Sequence, residues 1–309
     1  MTEPLRPANE KRPDAHGILI RRRIAGALLS FCLLPIAACA TPKPPPALLA
    51  MFDRADVVVI GEQHDDPEHH HIQAAIAADL TRRARPVIVA FEMIDETQRA
   101  ALDAFLAERP RDAAALGARL DWDRSGWPDW ALYQPIADAA LTQPHPPALP
   151  LTPANLPPEV AREIARNGLN ARGVAPDLMN LLHQADERDG DILAIHAADI
   201  EASHCGMLPQ SALASFALAQ YARDATMAQA VVAAAAANPG ASIILIAGNG
   251  HARNDVGVPR HLARLKPGLN VVSIGLLQGE ARDAPFNHVW RTPELEREDP
   301  CAAFAKAPP

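Results

Sequence analysis

Short apolar runs, each followed by a glycine or an ionisable residue, form the clearest pattern along the chain. Residues 57–60 read Val-Val-Val-Ile and lead directly into Gly61. An unbroken run of β-branched residues that ends at a turn residue is typical of a strand buried on both faces, as in a parallel sheet. Residues 86–91 and 242–247 repeat this pattern. The three runs therefore predict three buried, parallel strands.

Segments with helical spacing of their apolar residues separate these strands. Residues 67–83 place apolar side chains on one helical face, and Pro67 stands close to the first helical position. Histidines 69–71 fall at the start of this helix and are interpreted as a solvated run, with His70 or His71 facing the sheet edge as the alternative. Further helices are predicted at 96–108, 111–119, 157–166, 176–188 and 210–237, and further strands at 149–152 and 270–274, the last closing the sheet. The alternation predicts an α/β fold with a mainly parallel central sheet flanked by helices.

Ionisable residues follow the three buried strands. Glu62 and His64 come after the first strand, Glu92 after the second and His251 after the third. Ligands of open parallel sheets bind beyond the carboxyl ends of the strands, so we expect the site there if the strands are neighbours. Two imidazoles and two carboxylates can bind a divalent metal or act as a general base toward water. The alternative is that these side chains only connect the strand ends by hydrogen bonds.

Aromatic residues are scarce, at 4% of the chain, but they concentrate in one stretch. Residues 122–133 hold three of the four tryptophans, Trp130 among them, and Tyr133, one of only two tyrosines. We interpret the stretch as a small core beneath a loop. The alternative is an aromatic wall for a flat ligand, since such rings bury large areas at low entropic cost.

The first 38 residues are typical of an export signal. Arg21, Arg22 and Arg23 precede an apolar segment at 24–38, which is too short to span a bilayer comfortably. The segment ends in Ile-Ala-Ala followed by Cys39, which resembles a bacterial lipobox and predicts lipidation of Cys39; an ordinary signal peptide is the alternative. We therefore divide the chain into a signal peptide (1–38), a proline-rich tether (39–47), an α/β domain (48–285) and a C-terminal tail (286–309).

The charge of the predicted mature chain excludes several partners. Residues 1–38 carry six of the 29 basic and three of the 37 acidic residues, so their removal leaves a formal net charge of −11. An acidic chain is a poor candidate for nucleic-acid binding or for electrostatic adhesion to anionic membranes. Acylation rather than charge is expected to hold it to a membrane.

Two cysteines remain beyond the lipobox, Cys205 and Cys301. A single pair in an exported protein favours a disulfide, which here joins the C-terminal tail to the domain. The alternative is that Cys205 is a free thiol or a soft ligand beside His204.

An ordered set of short motifs is similar to a known family. The motifs are Gly61-Glu62-Gln63-His64-Asp65, Phe91-Glu92-Met93, Trp130 through Tyr133 to Pro135, Ser203-His204-Cys205-Gly206, residues 220–228, Gly248-Asn249-Gly250-His251-Ala252-Arg253 and Gly257-Val258-Pro259. Together with the lipobox they resemble the ChaN-type haem-binding uptake lipoproteins of the Tiki/TraB/erythromycin-esterase-like superfamily, over about residues 50–280. The resemblance implies an α/β fold with a cleft built from the two Gly-x-x-His motifs and the strand-end glutamate. It also implies a lipid-anchored protein of a Gram-negative bacterium that handles haem or iron at the periplasmic face of the outer membrane.

The same resemblance implies haem binding at a homodimer interface, with tyrosine and histidine candidates near the iron. Both tyrosinate and imidazole can ligate haem iron. Tyr133 is preferred because it stands beside the tryptophans, and Tyr221 is the alternative, next to a helical face that carries Gln220, Arg223 and Asp224. The candidate haem-contacting residues are Tyr133, Tyr221, Trp130, His204 and Arg223.

A second hypothesis uses the strand-end residues for catalysis. The superfamily also supports hydrolysis, and Glu62, His64, Glu92 and His251 could serve a metal-dependent or a His/Glu-based hydrolase. Neither scheme needs a nucleophilic serine, and the chain contains no Gly-x-Ser-x-Gly motif. Haem binding is the function we expect, and hydrolysis is the alternative.

Overall fold

The computed structural model describes residues 42–280, 285–299 and 301–302. The predicted signal peptide and Cys39 lie outside these residues. These described residues belong to one compact unit. Within the described ranges, no helix combines the length and the apolar character that a bilayer crossing requires.

A six-stranded parallel sheet forms the centre of the molecule, which confirms the predicted α/β fold. All pairings are parallel and the strand order is β3-β2-β4-β1-β5-β6. The strands are β1 (Val57–Glu62), β2 (Val87–Asp95), β3 (Leu151–Asn155), β4 (Ser242–Gly248), β5 (Val271–Gln278) and β6 (His288–Thr292). The three strands with the strongest apolar runs are therefore neighbours, with β4 between β2 and β1.

Helices cover both faces of the sheet. In the described residues they are α1 (Pro46–Phe52), α2 (Pro67–Thr81), α3 (Arg99–Ala107), α4 (Ala113–Arg119), α5 (Trp130–Leu141), α6 (Pro158–Asn167), α7 (Pro176–Arg188), α8 (Gly190–Ser203), α9 (Gln210–Ala237), α10 (Asn249–Ala252) and α11 (Val258–Leu265). Short 3₁₀ turns lie at Glu96–Gln98, Trp122–Arg124 and Gly168–Asn170. Asp66 caps α2 by accepting a hydrogen bond from the Glu68 amide, and Pro67 opens the helix as predicted.

Successive residues of each central strand point to opposite faces, so the sheet separates two cores. Val58 and Ile60 of β1 pack on the side of α2 and α5. Val57 and Val59 pack on the side of α9 and α11. All four side chains are fully buried, and burial of each such side chain contributes about 1.5–3 kcal/mol. This two-sided burial explains why the strand sequence is continuously apolar.

Two elements differ from the sequence predictions. β6 lies within the segment that was expected to be a tail and pairs with β5, so the sheet does not close at residue 274. Its residues are mostly half-buried, because β6 is an edge strand, and they give no continuous apolar run. α8 forms where the sequence shows no clear pattern.

The end of β6 and the segment after it are fastened at three points. Thr292 hydrogen-bonds His69, with Oγ1 and Nε2 3.0 Å apart. Arg297 donates to both carboxylate oxygens of Asp65, at 2.7 and 2.8 Å. Cys301 forms a disulfide with Cys205. The end of the described chain is thereby held beside the carboxyl edge of the sheet.

Candidate functional site

The strand order brings the four strand-end residues to one edge of the sheet. Glu62 is paired in register with Gly248, and β2 lies on the other side of β4. Glu62 is the last residue of β1, and Glu92 lies close to the end of β2. His251 lies in the short helix α10, which follows β4. Glu62, Glu92 and His251 are buried, and His64 is partly exposed. The expected convergence therefore occurs, but the four residues form two separate networks.

The first network runs through Glu92 and His251. One Glu92 oxygen, Oε2, accepts a 2.7 Å hydrogen bond from the amide of Gly248. The other, Oε1, accepts from Arg223 at 2.9 Å and lies 3.3 Å from Nε2 of His251. On its far side, His251 Nδ1 lies 2.6 Å from Oδ1 of Asp224 in α9. His251 is thus held between two carboxylates, each of which can only accept when ionised.

The buried carboxylates make this histidine a cation. Burial alone would lower the pKa of His251, but the charges of Glu92 and Asp224 outweigh it and raise the pKa to about 10. The reverse holds for Glu92, where the charges of His251 and Arg223 overcome burial and lower the pKa of the carboxyl well below its ordinary value. Glu92 is therefore ionised, and His251 is protonated at neutral pH.

The second network is centred on Glu62. Oε1 of Glu62 lies 2.8 Å from Nδ1 of His64 and accepts a 3.1 Å hydrogen bond from the hydroxyl of Tyr133. Oε2 lies 3.4 Å from Nδ1 of His70, whose Nε2 is 2.9 Å from the carbonyl oxygen of His64. Because a carboxylate can only accept, the Nδ1–H of His64 donates to Glu62. In the neutral imidazole, Nε2 then carries the lone pair.

His64 is the one member of the four that solvent reaches to a substantial extent. Its side chain is 34% exposed, whereas that of Glu62 is fully buried. The ring packs edge-on against Trp127, with the ring centroids 4.9 Å apart. Burial would lower the pKa of His64, but the hydrogen bond to Glu62 and the charge of Glu92 raise it above the ordinary value. A fixed, partly exposed imidazole thus stands beside a half-buried tryptophan.

Close backbone approach explains the glycines of the two Gly-x-x-His motifs. A Cβ atom on Gly248 would lie 3.0 Å from Nε2 of His64. A Cβ atom on Gly61 would lie 2.5 Å from the side chain of Asn249 and 3.0 Å from its Cα atom. Any larger residue would displace the ring of His64 or the start of α10. The glycines therefore set the spacing between the two histidine-bearing loops.

A groove opens beside Trp127. A cavity of about 200 Å³ lies against Glu92, Met93, Trp127, Leu156 and Arg223. A second cavity, of about 450 Å³, shares Met93 and Trp127 and reaches Arg124 and Arg162. We call the two together the Trp127 groove. It has an aromatic and aliphatic wall. Three arginines lie along it, each paired with a carboxylate of the same lining: Arg124 with Asp121, Arg162 with Glu159 and Arg223 with Glu92.

Both tyrosines that the sequence offers as haem ligands are buried. Tyr133 is fully buried in the core, and burial together with the charge of Glu62 raises the pKa of its hydroxyl far above the ordinary value. Tyr221 is 1% exposed and donates a 2.7 Å hydrogen bond to Asp189. Neither hydroxyl is accessible to a ligand in this conformation.

Two other predicted haem contacts lie in structural positions. Trp130 is buried in the core beneath α4, and its indole N–H donates to the carbonyl oxygen of Ala113 at 2.8 Å. His204 ends α8 and hydrogen-bonds the carbonyl oxygen of Ile200 in its own helix. Of the five expected contacts, Arg223 is the one that borders the Trp127 groove.

The histidines at the start of α2 are not a solvated run. His69 and His70 are buried, with exposures of 0% and 1%, and both bond to groups around the carboxyl edge. His71 is exposed, as expected. The prediction of a solvated run was wrong for His69 and His70, because charge and polarity alone do not reveal which face of α2 is covered. Here α5 and the loop after β1 cover the face that carries these two histidines.

The proposed metal ligands are engaged with one another. Both oxygens of Glu92 accept hydrogen bonds, and both nitrogens of His251 face carboxylates. Among the described residues, no group of three or more His, Cys, Asp or Glu side chains is arranged to hold a metal ion. The pairing of the donors disfavours the alternative of a metal-dependent hydrolase at Glu92 and His251.

Some of the residues that surround Glu92 and His251 could be predicted from the sequence, and others could not. The helical face with Gln220, Arg223 and Asp224 does face the site. His196, whose Nε2 lies 3.5 Å from Asp224, was not identified, because α8 was not predicted. Trp127 was included in the aromatic stretch 122–133 but was not singled out. Its position in a Ser-Gly-Trp-Pro loop is the signal that could have separated it from the buried Trp130.

Comparison with known proteins identifies the family. A family model described as "Haem-binding uptake, Tiki superfamily, ChaN" matches residues 48–262, which is more than half of the chain. The chain belongs to the ChaN family. This confirms the resemblance inferred from the motifs. A comparison with curated proteins found no match.

Among similar solved structures, the ChaN protein of Campylobacter jejuni shows the same fold. ChaN of Campylobacter jejuni, which binds haem cofacially, has 23% identity to this ChaN-family protein; the match covers 78% of this chain and 88% of that chain, with a TM-score of 0.59. A mutant of the erythromycin esterase EreC in its open conformation has 15% identity over 75% of this chain and 72% of its own, with a TM-score of 0.41. The type III effector HopBA1 has 15% identity over 84% of this chain and 100% of its own, with a TM-score of 0.42.

Proposed function

We propose that this ChaN-family protein binds haem through His64 and the Trp127 groove. The observation that carries the proposal is the pairing of His64 with Glu62. A carboxylate that fixes one imidazole nitrogen orients the ring and leaves the other nitrogen to a metal. His64 is partly exposed and packs against Trp127, whereas both tyrosines are buried in hydrogen bonds to carboxylates.

The residues around His64 fit the chemical demands of haem. Haem sites are mostly apolar, with a few placed polar groups. Met93, Trp127 and Leu156 supply the apolar wall. Arginine guanidinium groups bind carboxylates well, and Arg124, Arg162 and Arg223 would face the two haem propionates. The imidazole of His64 would hold the haem iron, and the protein would carry the haem as cargo.

Haem loading is expected to bring two copies of the chain together. Haem binding to the ChaN protein of C. jejuni is cofacial. The Trp127 groove opens at the surface and Trp127 itself is only half-buried, so a flat ligand there would keep one face available to a second copy. A homodimer with two haems at its interface follows, and its formation should depend on haem.

The cellular role that we propose is haem or iron uptake at a membrane. The basic, apolar and lipobox segments at 21–39 support export and acylation of Cys39, which would anchor the protein at the periplasmic face of the outer membrane of a Gram-negative bacterium. Mass spectrometry of the mature amino terminus and fractionation of the envelope test this placement. An unmodified Cys39 in the mature protein would contradict it.

A haemin titration tests the binding proposal. The chain beginning at Ala40 is titrated with haemin and followed by the Soret band and by light scattering. We expect saturable binding with dimer formation, and His64→Ala should weaken binding at least tenfold. His71→Ala is the matched control, because the His71 side chain is 60% exposed and lies beside the surface residue Glu68. Equal affinities for wild type and His64→Ala would contradict the proposal.

A further inference from the structure

The charges of this acidic protein are separated along the strand direction. In a parallel sheet, the residues just before the strands lie at the amino edge, opposite the edge that holds His64. We define the basal surface as the basic residues of the tether and of this edge: Lys43, Arg54, Arg82, Arg83, Arg85 and Lys266. Arg85 spans the edge, because its guanidinium donates to the carbonyl oxygens of Ala55, Gly240 and Ala241.

The basal surface carries an excess of positive charge. Its six cations are interleaved with three carboxylates, those of Asp53, Asp56 and Asp79, which pair with Arg83 and Arg85. A formal excess of three positive charges therefore remains on a chain whose mature net charge is strongly negative. Lys43, Arg54, Arg82 and Lys266 are exposed.

An acidic segment, residues 294–299, lies at the opposite end of the molecule. Residues 294–299 are exposed and carry four acidic side chains against one arginine. Arg297 fixes this segment beside the carboxyl edge through Asp65. An anionic surface would therefore attract one end of the protein and repel the other.

A largely apolar groove lies within the basal surface. A cavity of about 430 Å³ separates the tether from α2, and its walls are Pro42, Pro44, Leu49, Ala75 and Ala78. Lys43, Asp79 and Arg82 line the same cavity, and Asp79 is already paired with Arg83. Apolar walls beside two exposed cations match the chemistry of a phospholipid, with its acyl chains and its anionic headgroup.

The position of the tether places the groove close to the predicted anchor. Cys39 precedes Pro42 by three residues, so the extended chain spans at most about 11 Å between them. Any lipid on Cys39 is therefore attached near the basal surface. This step rests on the acylation of Cys39 proposed above, whereas the charge pattern and the groove do not.

We propose that the basal surface docks on a bilayer that contains anionic phospholipids, with a lipid in the groove between the tether and α2. The anchored protein then has the amino edge of its sheet at the membrane, and the Trp127 groove at the carboxyl edge faces away from the membrane. Haem would be received and released on the aqueous side. The net charge predicts no such adhesion because it averages over two ends of opposite sign.

Vesicle flotation tests the docking surface without the anchor or haem. The chain beginning at Ala40, which contains the compact unit, is mixed with vesicles of phosphatidylcholine alone or with added phosphatidylglycerol at about 10 mM salt, where the Debye length is about 30 Å. We expect binding only to vesicles with phosphatidylglycerol, and loss of that binding at about 150 mM salt. No binding at low salt would overturn the proposal.

Charge-reversal variants locate the surface. Each basic residue at an anionic surface contributes about fivefold to binding, so Arg54→Glu with Arg82→Glu should weaken it by about 25-fold or more. Arg166→Glu with Arg172→Glu has the same net charge and is the matched control, because both arginines are exposed and lie in the α6 region. Equal losses in the two double variants would show a net-charge effect and would overturn the proposal.

Tryptophan quenching tests the orientation in the acylated full chain. The tryptophans of the 122–133 stretch lie around the carboxyl edge, so brominated phosphatidylglycerol should leave their fluorescence nearly unchanged. Strong quenching would place that edge at the bilayer and overturn the orientation. Haem titration and mass analysis of Cys39 are separate measurements, so failure of the haem or the anchoring proposal is distinguishable from failure of this one.

Discussion

The Nδ1 atom of His64 lies 2.8 Å from Oε1 of Glu62, and the same oxygen accepts a hydrogen bond from Tyr133. This arrangement assigns different roles to two residues that both could have been iron ligands. The phenol lies in the core and stabilises the carboxylate, while the imidazole lies at the surface and is oriented by it. The fold therefore places a partly exposed imidazole against the ring of Trp127.

Replacement of Glu62 by glutamine should weaken haem binding. An amide cannot hold the imidazole as a carboxylate does, and loss of such a supporting group typically lowers metal affinity by about 10–100-fold. We expect Glu62→Gln to weaken haemin binding by about tenfold or more in an absorbance titration. Glu68→Gln is the control, since Glu68 lies near His71 on the surface. Unchanged affinity in Glu62→Gln would show that the pair does not support the ligand.

Replacement of Tyr133 by phenylalanine should affect stability rather than haem binding. Loss of the hydrogen bond to a charged partner lowers the free energy of unfolding by about 1.5–3 kcal/mol. Haemin affinity should change by less than about threefold, since the hydroxyl is buried. Urea unfolding and haemin titration of Tyr133→Phe and Tyr221→Phe check both expectations. A large loss of haem affinity in either variant would restore that tyrosine as a ligand.

The stability of the protein should fall as the pH rises from 7 to 10. The pKa of His251 is about 10 in the folded protein and 6.5 is its ordinary value, so the folded state binds the proton more tightly. The stabilisation is complete below pH 6.5 and is lost as the pH approaches 10. Urea unfolding at several pH values should show this decline for the wild type. His251→Gln should show a flatter profile, and an equally steep one would contradict the assignment.

The sheet and the convergence of its strand ends could be predicted from local patterns. Strands buried on both faces have continuous apolar runs, which is why 57–60, 86–91 and 242–247 were found. The edge strand β6 could not be found in this way, because its side chains are half-exposed. The sequence did not predict the strand order that places β4 between β2 and β1. The expected convergence of the strand ends depended on the condition that the three strands are neighbours.

The division of the site into two networks could not be predicted from the sequence. Tyr133 and His64 are 69 positions apart, and only the packing of α5 on α2 decides that the phenol is buried beneath Glu62. The burial of His69 and His70 has the same cause. Sequence patterns indicate which residue types converge, whereas the exposure of each side chain depends on tertiary contacts.

The identity of the iron ligand tests the account most directly. Electron paramagnetic resonance and magnetic circular dichroism are recorded for the haem-loaded wild type, for His64→Ala and for His64→Ala with added imidazole. We predict an imidazole-ligand signature in the wild type, its loss in His64→Ala and its recovery with imidazole. A tyrosinate signature in the wild type that persists in His64→Ala would contradict the central claim.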